Sequence, residues 1–227
     1  VVSGNNEFAF ELYSKLREKH GNENVLFSPY SISTALAIAH EGAAGTTSEQ
    51  MLGTLNLPED GMARNSSFAS IYNSLNRKGK QYELYTANAL WAQKDYPFSE
   101  EYVALVKKYF GASAQNLDFI NEAEKSAQAI NSWAEKNTNG KIKQIVSKEM
   151  LSGIRLVITN SVYFKGQWAT QFDKSKTKEE DFETSPGNKI KVQMMSTGEG
   201  EQKYKYAETE DLQAIELPYK GKELSMF

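Results

Sequence analysis

Cysteine is absent from all 227 residues, which excludes disulfides, thiol nucleophiles and thiolate metal sites. Long apolar runs are absent too. No stretch approaches the roughly 18 residues needed to cross a bilayer as a helix, and the opening VVSGNNEF has no basic segment followed by an apolar one. Net charge is scarce: 26 basic against 29 acidic residues leave −3, so nucleic acid and membrane surfaces are not expected partners. None of this fixes the compartment. It fits a secreted or a cytoplasmic protein almost equally, with the extracellular side slightly favoured.

Histidine is nearly missing as well, with only His20 and His40. His20 falls at a helix end and His40 closes an Ala-rich helix, so a cap and a structural hydrogen bond are expected rather than a catalytic base. There is no G-x-S-x-G elbow, no P-loop and no H-E-x-x-H. GEGEQK has two glycines but no strand-turn-helix setting, and reads as a hairpin turn. The pairs Glu100-Glu101 and Glu179-Glu180 read as solvated surface. Arg77, Lys78 and Lys80 read as a helix-end charge cluster more readily than a polyanion site. Asn65-Ser66-Ser67 fits an N-glycosylation acceptor, a weak pattern that matters only on a secretory route. Catalytic, cofactor and metal residues are therefore not expected, and the chain reads as a non-enzyme.

What is present is organised around IRLVITNSVYFKGQW, residues 154–168. Leu156, Ile158, Val162 and Phe164 alternate with Val157 and Tyr163, so both faces are apolar, and a strand at the sheet centre is expected. Asn160 lies in its middle. A buried amide is costly unless its donors and acceptors find partners, so something polar must lie against it. Gly166 breaks the strand and Trp168 closes it.

Helical spacing marks Asn5 to Lys19, Asn65 to Asn76, Phe98 to Phe110 with Ser99 as cap, and Asn121 to Thr138. Between the first two, Val25 to Phe27 reads as a short buried strand. Ser28 with Pro29 then opens an Ala-rich helix to His40, expected to be buried all round. Thr46-Thr47 with Glu49-Gln50 reads as a capping arrangement for a short helix to about Leu55. Tyr82 to Gln93 and Ser113 to Phe119 read as strands. After residue 168 the segments FDKSKTKEEDFE, KIKVQMM, QKYKYAE, LQAIELPY and ELSMF are short and alternating, as antiparallel strands are. The final ELSMF has no pairing partner in sequence, so further polypeptide is expected to complete the fold. The class is α+β.

Four of these stretches together resemble the serpin family and occur in its order: NVLFSPYSISTALAIAHEGAAGTT, INSWAEKNTNGKI, LVITNSVYFKGQW and LQAIELPYKGKELSMF. The resemblance implies a serpin fold with three β-sheets, a large central sheet and about nine helices. It implies one domain over residues 1–227, incomplete at its C-terminus, with the reactive loop, scissile bond and last strands not in this chain. The implied partners are a target serine protease and the remaining C-terminal serpin segment; a monomer without a cofactor is expected. The implied activity is suicide inhibition, in which the cleaved loop inserts as a new strand and traps the acyl-enzyme; non-inhibitory carriers and chaperones share the fold. A new strand of ~10 residues adds ~20 backbone hydrogen bonds at roughly 1 kcal/mol each, a driving force on the order of 10 kcal/mol or more before entropy. By the same resemblance Ser28, Pro29, Ser31 and Asn160 match the shutter, and Trp168 the breach where the loop first enters.

Overall fold

Capping side chains and glycines decide where the helices start and stop. The computed structural model describes every residue except 22, 198–202 and 211, so most of the turn expected in GEGEQK lies outside the described residues. Helix α1 spans Val2–His20 and ends at Gly21, whose φ of 57° suits glycine. Helix α2, Pro29–His40, has Ser28 as N-cap and proline in its first turn, as expected. Helix α3, Gly45–Thr54, has Ala44 at its N-cap and no side-chain cap, so the expected threonine capping is not made. Helix α4, Gly61–Asn76, begins four residues earlier than its apolar spacing suggests, because Asp60 accepts the amides of Met62 and Ala63. Helix α5, Glu100–Phe110, is capped by Ser99 and closed by left-handed Gly111. Helix α6 is Ala123–Asn137.

Two compact units result, Val1–Arg77 with Leu84–Tyr163, and Lys78–Glu83 with Phe164–Phe227. In the first, strand β1 (Glu83–Gln93) pairs in parallel with β2 (Ala112–Leu117), from Asn88 opposite Ala112 to Gln93 opposite Leu117. Strand β3 (Leu156–Lys165) joins its other side, giving the order β2-β1-β3. Among the described residues the central strand is therefore β1, and the expectation that 154–168 would be the sheet centre does not hold for them. Two apolar faces report cover above and below. They say nothing about whether both backbone edges are paired.

Alternate residues of β1 feed different cores. Leu90 and Ala92 join Phe8, Ile38, Phe68, Val106 and Phe110 on one side, with Leu156 and Ile158 of β3 packed against them. Ala89 and Trp91 join Phe119, Ala127, Ile130 and Leu151 on the other, with Val157. Helix α6 covers that second side with its narrow apolar stripe and keeps its charges outward, as expected. The Trp91 ring meets Trp133 edge-on at 6.1 Å, and its indole N–H donates to Thr159 Oγ1 at 2.9 Å.

Helix α2 is not buried all round, since Leu36 is 40% exposed. Residues 25–27 form no strand, and Leu26 is fully exposed; apolar content without a ladder partner among the described residues leaves extended coil.

In the second unit the late alternation is antiparallel strand, as read. Strand β4 (Asp173–Ser185) pairs with β5 (Asn188–Ser196), setting Asp181 opposite Lys191 and Phe182 opposite Ile190. Strand β7 (Gln213–Pro218) pairs with β6 (Lys205–Glu208) and with the two-residue β8 (Ser225–Met226), so the expectation that ELSMF lacks a partner in the sequence is corrected: a short turn brings it back onto β7. Among the described residues there are thus three sheets, six α-helices and one 3-10 turn at Glu149–Leu151.

Candidate functional site

Where α2 begins, Ser28 Oγ accepts the Ser31 amide at 3.4 Å and the Ser31 hydroxyl at 2.9 Å, with Pro29 fixing the first helical φ between them. All three are half-buried. Asn160 is half-buried too. Its Nδ2 donates to Asn88 Oδ1 across the β1/β3 pair at 2.7 Å, and Asn88, only 2% exposed, donates its own Nδ2 to the Phe110 carbonyl at 2.7 Å. A line of hydrogen bonds thus runs from β3 through β1 to the last turn of α5, where a free helix carbonyl awaits a donor. Ser28 and Ser31 are brought together, and Asn160 is bonded to Asn88 rather than to either serine. Ser28 also lines an open cavity of about 320 Å³ with Tyr30, Thr86 and Val162. Burial pushes the Tyr30 hydroxyl above its ordinary range, against the hydrogen bond with Thr34.

Trp168 belongs to the second unit. It stacks on Tyr219 at 4.4 Å with a 13° interplanar angle and meets Phe172 edge-on at 6.2 Å. The backbone follows the rings: the Ala169 amide donates to the Pro218 carbonyl at 2.9 Å, and the Lys220 amide to that of Gln167 at 2.7 Å. Gly166 makes the approach possible. A Cβ there would stand 2.7 Å from the Tyr219 ring and 2.8 Å from that of Phe164.

The profile of the family described as serpin (serine protease inhibitor) matches residues 3–227. The chain belongs to the serpin family. An uncharacterised serpin-like protein of Thermococcus kodakarensis is 46% identical over 100% of this chain and 52% of its own length. A solved structure of a cleaved serpin 42Da superposes with a TM-score of 0.87 at 34% identity, over 96% of this chain and 58% of that one. Reactive-loop-cleaved human thyroxine binding globulin does so with a TM-score of 0.86 at 29% identity, over 99% and 66%. This serpin chain spans about half the length of the curated relatives it matches.

Three residues of this serpin escaped the pattern reading. Asn88 carries the same signal as Asn160, an amide inside an apolar strand. Arg64 and Glu41 form a buried ion pair: Arg64 donates to Glu41 Oε1 at 2.8 and 3.1 Å, and to the carbonyls of Pro58 and Glu59. Nothing in their local spacing links them, because they are 23 positions apart. Asn65 Nδ2 donates to the second Glu41 oxygen at 3.1 Å and is 5% exposed, so the glycosylation acceptor is folded away. Tyr102 donates to the Ile38 carbonyl at 2.9 Å, and burial first, then the Glu41 charge, pushes its hydroxyl up to about 12.

The two histidines hold structural positions. His40, 5% exposed, hydrogen-bonds Ser48 Oγ at 2.9 Å, and His20 Nδ1 lies 3.2 Å from Glu23 Oε2 at the end of α1. Lys80 of the basic cluster lies over the Tyr82 ring at 5.2 Å. Among the described residues no group of three His, Cys, Asp or Glu could hold a metal.

Proposed function

We propose that this serpin inhibits serine proteases without turning over substrate itself, trapping the acyl-enzyme by inserting its cleaved reactive loop beside β3. The reading takes residues 1–227 as part of one serpin domain that a C-terminal segment completes. What carries it, beside the family match, is the hydrogen-bond line from Asn160 through Asn88 to the Phe110 carbonyl, which ties β3 and β1 to α5. Insertion requires β3 to move relative to the layer beneath it, and an amide pair with one member 2% exposed resists that movement until loop cleavage makes it favourable. Ser28, Pro29 and Ser31 support the same role from the capped start of α2. Trp168, held against Tyr219, supports an entry point for the loop.

The test is incubation of the full-length protein with a panel of serine proteases. The expected product is an SDS-stable complex of summed mass, together with a large rise in melting temperature after the loop is cut. The thyroxine binding globulin neighbour favours a second reading, a carrier on the same fold. Cleavage without a covalent complex and without a gain in melting temperature would reject inhibition and favour that carrier.

A further inference from the structure

In the second unit a cavity of about 300 Å³ opens where the start of β6 meets β7, β8 and the turn between them. Its walls bear three lysines, Lys203, Lys205 and Lys222, and one carboxylate, Glu216. That carboxylate is already engaged. Lys205 Nζ lies 2.9 Å from Glu216 Oε2, and Ser225 Oγ donates to Oε1 at 2.7 Å. These contacts, Ser225 first and Lys205 second, hold the Glu216 carboxyl below the usual carboxylate range, so it is ionised and matched. Lys203 and Lys222 make no ion pair among the described residues, which leaves two cationic groups on one small cavity.

Two independent features concern the same walls. The Tyr204 hydroxyl is buried and has no hydrogen-bond partner among the described residues, whereas buried polar groups in folded proteins nearly always have one. Lys222 has a φ of 57°, a left-handed conformation uncommon for a residue with a Cβ, and its amide donates to the Tyr219 carbonyl at 2.9 Å. The turn therefore fixes this lysine's backbone in a costly conformation at the cavity wall.

We propose that this cavity binds a small dianionic oxyanion, a phosphate or sulfate group, free or carried on a larger molecule. Lys203 and Lys222 supply the charge, and Tyr204 forms part of the same wall. Lysine suits an oxyanion as a compact point charge, and the volume lies at the small end of ligand pockets. The lysines disfavour a cation, and a monoanion would leave one of the two uncompensated. The proposal does not rest on protease inhibition.

Calorimetric titration of the full-length protein with inorganic phosphate, and separately with sulfate, at constant ionic strength tests it. Saturable one-to-one binding is expected for both ions. Phosphate binding should weaken as pH falls through the second ionisation of phosphate, near 6 to 7, while sulfate binding should not weaken in parallel. The double variant Lys203→Gln, Lys222→Gln should bind at least tenfold more weakly. A charge-matched control, Lys174→Gln with Lys178→Gln on β4, should stay within twofold of the parent. No saturable binding, undiminished binding in the cavity double variant, or an equal loss in the β4 control would each overturn the site.

Discussion

At the scale of single residues, the polar groups under the sheet matter because they have so few alternatives. Asn160→Ala removes the donor to Asn88 Oδ1, and leaving such a group unsatisfied costs about 1–3 kcal/mol. Conversion to latent or polymeric forms under mild heating is expected to accelerate in that variant; unchanged rates would argue against a latch. Asn88→Ala should destabilise the chain more, since it strands both the Phe110 carbonyl and the Asn160 amide. A double-mutant cycle between the two asparagines should show coupling, read by urea unfolding. Tyr102 gives a pH signature. Its folded hydroxyl is pushed up to about 12 from 10, so the unfolded chain loses its proton first, and stability, unaffected below pH 10, falls as pH rises from 10 to 12. Tyr102→Phe should remove that part of the alkaline decline in denaturation midpoints. Asn160 was legible in sequence as an amide among apolar neighbours. Its partner was less so, because the carbonyl that Asn88 satisfies lies at a helix end 22 residues away, and no periodicity joins the two.

Among elements, the capped helices and the alternating late strands were legible because their signals are local: Ser28 before Pro29, Ser99 before the α5 stripe, Gly111 after it. The rank of a strand within its sheet was not. Strands β1 and β3 are both apolar on two faces, and only pairing, a long-range property, makes β1 the middle one. Residues 25–27 show the same limit, since composition suggested a ladder that no described neighbour supplies. Gly166 offers an element-scale test. A methyl group added there would meet ring atoms of Tyr219 and Phe164 at 2.7 and 2.8 Å, so Gly166→Ala must push the rings aside at a cost of about 1–3 kcal/mol. Because Trp168 stacks on Tyr219, the variant should show altered tryptophan emission as well as a lower unfolding midpoint. An unchanged spectrum and midpoint would mean that the rings move freely.

For the whole molecule, fold class and family could be read from four stretches spread along the chain, while the distant ion pair of Arg64 with Glu41 needed α4 to be brought against the residue that follows α2. That packing bears on how the protein can be made. The acceptor Asn65 lies against Glu41 with its amide nitrogen engaged, so an oligosaccharide could be attached only to the nascent chain, before α4 docks. Production in a eukaryotic secretory host therefore sets sugar transfer in a race against folding, and each molecule that loses the race carries a glycan in place of a buried contact. Ser67 is half-buried, its hydroxyl donating to the Ala63 carbonyl at 2.7 Å. Ser67→Ala, which abolishes the acceptor and leaves Asn65 untouched, should raise the yield of unglycosylated native protein from such a host and change nothing in a bacterial one.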